Sequence, residues 1–207
     1  MVLENIELAY MFFMFVTVYI YKEGEGSMSS WNLPNMLSMS RVFLAPLVMV
    51  FLAVRGQFGM FLGVNIGDIM AGTVFILASI TDAVDGYVAR KRGIVTNLGK
   101  FIDPLADKIL VAAALIALVE LQRLPAWMVV VIISREFIVS GVRMVAAVEG
   151  VVIHASAGGK AKTVSQIVAI VMMIFNIPHA GPVMWLAMIL TVWSGLDYLL
   201  KSKDFFR

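Results

Sequence analysis

Cysteine is absent from the 207 residues, histidine occurs twice, and charged side chains make up only 14% of the chain. Without thiols there is no disulfide and no thiolate metal centre. The two histidines, His154 and His179, lack companions for an imidazole site and fall in expected links. A soluble domain has roughly a quarter of its residues charged, so the scarcity of charge excludes an ordinary water-facing surface. The formal net charge of +2 is small and unevenly distributed, which argues against nucleic acid as a partner.

What fills the chain instead is apolar, at 61% of residues. Crossing a bilayer takes about 20 mostly apolar residues. Six stretches qualify or nearly qualify: 35–54, 67–88, 105–121, 126–147, 163–177 and 182–200. The fifth is short unless Lys160 and Lys162 extend it by snorkelling. The links are short and contain turn signals such as "SAGGK" and "NIPHAGP". The expected architecture is an all-α integral membrane protein, one bundle of six transmembrane helices over residues 32–207. Residues 1–31 read as an N-terminal extension. Their apolar run, 8–21, is only fourteen residues long and is followed by "KEGEGSM". It fits an interfacial helix, a further segment or an appended leader with a fresh start at Met28.

Lysine and arginine gather in cytoplasmic loops. Here Arg90, Lys91, Arg92 and Lys100 follow the second stretch, Lys160 and Lys162 follow the fourth, and Lys201, Lys203 and Arg207 close the chain. The alternate links hold only Arg55 and Arg123. The even-numbered links and the tail are therefore expected on the cytoplasmic side.

Four carboxylates stand at that side. Asp82 and Asp85 are three residues apart on the second helix, and Asp103 and Asp107 four apart on the third, so each pair shares a helix face. An ionised group at membrane depth is disfavoured by about 2.5 kcal/mol or more and needs a partner or a wet cavity. Taken singly, Asp103 before Pro104 reads as a helix cap and Asp82 as an interfacial residue. Caps do not require four carboxylates on two neighbouring helices, however. Together they need positive compensation, and hard oxygen donors suit two divalent ions, Mg²⁺ or Mn²⁺. The intervening residues fit a ligand site. Gly86 follows Asp85, Ala89 is small on the same face, Arg90 is suited to a phosphate, and Gly99 clears room one turn before Asp103.

The skeleton Asp82-x-x-Asp85-Gly86-x-x-Ala89-Arg90, then Gly99-x-x-x-Asp103-x-x-x-Asp107, resembles the signature of the CDP-alcohol phosphotransferase family at every specified position. "NLPNMLSMSRVFLAPL", "SREFIVSGVR", "GGKAKT" and "WSGLDYL" resemble the branch of that family whose acceptor is glycerol 3-phosphate. The resemblance implies a metal-dependent phosphatidyltransferase of the inner (cytoplasmic) membrane, multi-pass and homodimeric. Its substrates would be CDP-diacylglycerol and glycerol 3-phosphate. It also implies that Asp82, Asp85, Asp103 and Asp107 ligate the metals and that Asp107 acts as general base. Asp82, Asp85, Gly86, Ala89, Arg90 and Gly99 would bind the CDP moiety.

A phosphorylated acceptor needs cations, and Arg41, Arg135, Arg143, Lys160 and Lys162 lie at or within helices. They are the expected acceptor-phosphate residues. Alternative partners for Arg135 are Glu136 or a lipid headgroup, and the positive-inside bias alone accounts for Lys160 and Lys162. Sister enzymes that use serine, inositol, inositol phosphate or phosphatidylglycerol would share the whole skeleton. A cation transporter or proton relay would spread its acids through the membrane depth, whereas these bunch at one end. Three smaller expectations concern Gly59, Gly63 and Gly67 as a helix-packing spacing that nevertheless falls largely in an expected link, Asp68 as a cap, and Asp197 as an acid without an assigned partner.

Overall fold

The computed structural model describes residues 33–92, 97–148 and 157–202, with side chains for 40–81, 105–146 and 158–202. The expectations for residues 1–31 lie outside the described residues. All six apolar stretches are helical: α1 Leu33–Ala53, α2 Ile66–Arg92, α3 Asn97–Glu120, α4 Ala126–Val148, α5 Ala157–Ile174 and α6 Ala180–Ser202. Two boundaries differ in a way that matters. Helix α2 continues to Arg92 and α3 begins at Asn97, so Arg90, Lys91, Arg92 and Lys100 are helical rather than in a link. The chain forms two compact units, Met1–Ala114 and Leu115–Arg207.

In the first unit α1 packs on α2. Helix α1 buries Arg41, Ala45, Val48 and Leu52, and α2 buries Asp68, Ala71, Phe75 and Ala78. Both sets step by three and four, the repeat of a single helix face. Alanine at three of these α2 and α1 positions lets the backbones approach closely. The hydroxyls of Thr73, Ser79 and Thr81 donate to the carbonyls of Ile69, Phe75 and Leu77, four residues back, at 2.7 to 2.8 Å. Polar atoms on an apolar helix are thereby satisfied without water.

The α1–α2 connection corrects the purely helical expectation. A 3₁₀ turn, Arg55–Gln57, leads into a two-stranded antiparallel hairpin, β1 Met60–Phe61 and β2 Val64–Asn65. Leu62 and Gly63 form its tip with φ of 50° and 80°, the two positive values that a type I′ hairpin turn needs. Two of the three spaced glycines therefore serve the link, as their place in the chain suggests, and not a helix seam. Gly59 and Gly63 serve the hairpin, while Gly67 lets α2 start hard against the end of α1. A Cβ on Gly67 would meet the Arg55 Cα at 2.6 Å and the Phe51 carbonyl oxygen at 2.7 Å. Asn65, not Asp68, caps α2, since its Oδ1 accepts from the Gly67 amide at 2.9 Å. Asp68 is buried and paired with Arg55 at 3.2 Å.

In the second unit α6 packs against both α4 and α5. Helices α3 and α5 end in the same way. Gln122 and Asn176 adopt φ of 56° and 52°. Their amides donate three residues back, to Val119 and Met173, and the next amides donate to Leu118 and Met172. This paired closure satisfies the orphan carbonyls of a helix end. Arg123 adds its guanidinium to the last carbonyls of α5, 3.2 Å from Met173 O and 2.6 Å from Ile174 O. The expectation of Asp197 as an unassigned acid is also corrected, since it pairs with Lys201 one turn on, at 2.8 Å.

Large apolar side chains stand exposed on every helix, among them Phe43, Leu77, Ile116, Phe137, Val164 and Trp193. So many large apolar side chains exposed on every helix are unusual for a water-soluble monomer. Among the described residues one helix, Ala180–Ser202, is long and apolar enough to cross a membrane, and Ser40–Ala53 and Ile66–Thr81 are shorter apolar stretches. Gly67→Ala should lower stability by roughly 1–3 kcal/mol, the usual effect of overpacking. Gly56→Ala, where a Cβ meets nothing within 4 Å, should be nearly neutral. Thermal unfolding of the two variants in detergent checks the contrast.

Candidate functional site

The helical backbone in the first unit carries the four aspartates. Helix α2 is continuous through Asp82, Asp85, Gly86, Ala89 and Arg90, and α3 through Gly99, Asp103 and Asp107. Helical spacing therefore puts Asp82, Asp85, Gly86 and Ala89 on one face of α2, and Gly99, Asp103 and Asp107 on one face of α3. The side chains of all of these except Asp107 lie outside the described residues. Asp107 is 41% exposed and receives the guanidinium of Arg41, itself buried to 1% exposure on α1. Arg41, expected with the acceptor-phosphate cations, is thus tied to the last aspartate of the skeleton. A set of carboxylate oxygens on two helix faces, with its described member open to solvent, suits hard divalent cations.

The second unit holds a separate polar cluster inside its apolar helices. Arg135 and Glu136 sit mid-way along α4, Lys162 near the start of α5 and Ser194 on α6. Glu136 accepts from both Lys162 and Arg135, the latter at 3.3 Å. Arg135 also donates to the Ser194 hydroxyl at 2.9 Å. Two turns along α4, Arg143 lies over the ring of Tyr198, 5.2 Å from its centroid. Ser194 and Tyr198 are themselves one turn apart, so Arg135 and Arg143 address one face of α6. Lys160 is exposed.

Charge balance explains the arrangement. Lys162 lies ahead of the apolar stretch 163–177 and is 5% exposed. Burial pushes its ammonium down from the ordinary value, Glu136 opposes that shift, and Arg135 and Arg143 add to it. Among the described residues, one carboxylate faces two cations directly, with a third nearby, a positive surplus suited to an anion.

Several residues here were not singled out from sequence: Gln166, Ser194, Gly195 and Tyr198. Gln166 had a visible signal, being polar inside an apolar helix one turn from Lys162. Gly195 had none. A Cβ there would meet Arg135 Cγ at 2.8 Å and Nε at 3.0 Å, so glycine is what lets the Arg135 side chain pass across α6. Gly195→Ala should displace Arg135 from Ser194. The expected outcome is a KM for the anionic substrate raised severalfold with the fold retained, checked by steady-state kinetics beside a thermal unfolding curve.

With this geometry in view, known proteins place the chain. A family model described as CDP-alcohol phosphatidyltransferase matches residues 31–193. A CDP-diacylglycerol–glycerol-3-phosphate 3-phosphatidyltransferase of Bacillus subtilis is 44% identical over 189 residues, covering 84% of this chain and 96% of the relative. One of the same name from Rickettsia felis is 33% identical over 184 residues, covering 84% and 97%. A probable phosphatidylglycerophosphate synthase of Mycobacterium tuberculosis is 39% identical over 178 residues, covering 83% and 81%. The chain belongs to the CDP-alcohol phosphatidyltransferase family.

Proposed function

We propose that the chain transfers the phosphatidyl group of CDP-diacylglycerol to glycerol 3-phosphate, releasing CMP and phosphatidylglycerophosphate. The observation that carries this reading is the full aspartate skeleton on α2 and α3, in a chain 44% identical to a relative named for that reaction. A cluster of buried cations in the second unit supports a phosphorylated acceptor over a neutral alcohol.

In the bond-making step the acceptor hydroxyl oxygen attacks the β-phosphorus, and the bond from that phosphorus to the CMP oxygen breaks. Asp107 accepts the hydroxyl proton, with Arg41 holding its carboxylate in place. Asp82, Asp85, Asp103 and Asp107 would hold two divalent cations, Mg²⁺ or Mn²⁺. When bound, these offset charge on the pyrophosphate oxygens. Gly86, Ala89 and Gly99 leave room for the CDP moiety, and Arg90 clamps its phosphate. Arg135, Arg143 and Lys162, with Lys160, attract the acceptor phosphate.

The same reading makes the chain a multi-pass protein of the inner membrane, its six apolar stretches spanning the bilayer and the aspartates facing the cytoplasm. The exposed apolar side chains on all six helices support it, as does the positive-inside pattern. A lipid donor and a soluble acceptor meet at such a boundary. The homodimer is carried by family resemblance.

Three outcomes are expected of purified protein assayed for CMP release. Asp85→Asn abolishes turnover. Chelation of divalent cations stops the reaction, and added Mg²⁺ or Mn²⁺ restores it. Arg135→Ala and Arg143→Ala raise the KM for glycerol 3-phosphate by about tenfold or more, as loss of a charged hydrogen bond does. Full activity of Asp85→Asn, or unchanged KM in both arginine variants, contradicts the assignment of those residues.

A further inference from the structure

Three buried polar atoms of the second unit have no hydrogen-bond partner among the described residues. They are Nε of Arg135, Nε2 of Gln166 and the phenol oxygen of Tyr198. Gln166 is 3% exposed and Tyr198 5%. Buried polar groups are almost always paired, so an unpaired one calls for an explanation, and donors of three different side chains call for a common one.

All three lie on helix faces that carry or meet these cations. Gln166 lies one turn beyond Lys162 on α5, and Tyr198 lies one turn beyond Ser194, which receives Arg135. The Tyr198 ring is held under Arg143. Glu136 occupies Lys162 and one amino group of Arg135, and Ser194 occupies the other. What is left over is donor capacity without an acceptor, within a positive surplus. A phosphate monoester answers this, because its three terminal oxygens accept hydrogen bonds in several directions at once. The cations attract any anion. Neutral, directional donors such as an amide and a phenol select for the shape and orientation of the group that arrives.

We infer that Gln166 and Tyr198 donate hydrogen bonds to the phosphate of the acceptor, and that they distinguish a phosphorylated acceptor from a free alcohol. The inference rests on the acceptor reading proposed above. It adds two neutral binding residues to a site otherwise described by its charges.

Gln166→Met and Tyr198→Phe remove the donors at nearly constant shape, and the phenylalanine ring keeps its place under Arg143. The full chain in detergent is assayed for CMP release and for the thermal shift produced by inorganic phosphate. Each variant is expected to raise the KM for glycerol 3-phosphate about tenfold. The KM for CDP-diacylglycerol and kcat should stay within about twofold. Each should lose most of the phosphate-induced shift. Without phosphate, both variants should melt at or above the wild-type temperature, because the donors removed have no partner in the fold. A purely structural role would lower that temperature and leave KM alone.

Wild-type KM and a full phosphate shift in the variants overturn the inference, as does a wild type that phosphate does not stabilise. A wild type inactive with glycerol 3-phosphate, whose phosphate shift is still lost in the variants, overturns the acceptor reading and leaves Gln166 and Tyr198 as donors to the phosphate of another substrate. Where Gln166→Met does not fold, Tyr198→Phe decides by the same measurements.

Discussion

Glu136 is shared by Arg135 and Lys162, and the polar interior of the second unit depends on that one carboxylate. Two cations inside apolar helices are tolerated only when compensated, and removing one partner of a buried ion pair is disfavoured by about 3–5 kcal/mol. Because one acid serves two bases, with Arg143 close by, compensation is incomplete. The arrangement is stable enough to fold and still positive enough to bind an anion. Gly195 belongs to the same constraint, since only a missing side chain admits Arg135 to Ser194.

The first unit places its described carboxylates beside arginines, Asp107 with the buried Arg41 and Asp68 with Arg55. Small residues on the α1 and α2 faces bring those helices together, and the Asn65 cap and the Gly67 contact set where α2 begins. Starting there, α2 runs without a break to Arg92. Asp82, Asp85, Gly86 and Ala89 are thereby carried on one rigid element, as a site requiring fixed spacing demands.

Much of this was legible in the residues. The six helices follow from apolar length, and so does the helical backbone that carries the aspartate skeleton, since both periods are local. What depended on distant partners was not legible. The glycine spacing at 59, 63 and 67 suits a helix seam, and only the positive φ of Gly59 and Gly63 reveals the hairpin. Asp68 looked like a cap because its partner, Arg55, sits across a turn whose shape could not be read from pattern. Arg41 was legible as a cation near a helix start, and its tie to Asp107 required the packing of α1. The Arg135–Glu136 contact was visible as a neighbour pair. The tie to Lys162, 26 residues on, required the fold.

The most direct measurement supplies CDP-diacylglycerol and labelled glycerol 3-phosphate to the purified protein with Mg²⁺ or Mn²⁺, and identifies the lipid that forms. The account predicts label in phosphatidylglycerophosphate, with CMP released in equal amount. CMP release and a lipid product only with a different alcohol would contradict the acceptor, and no CMP release with any alcohol would contradict the transfer itself.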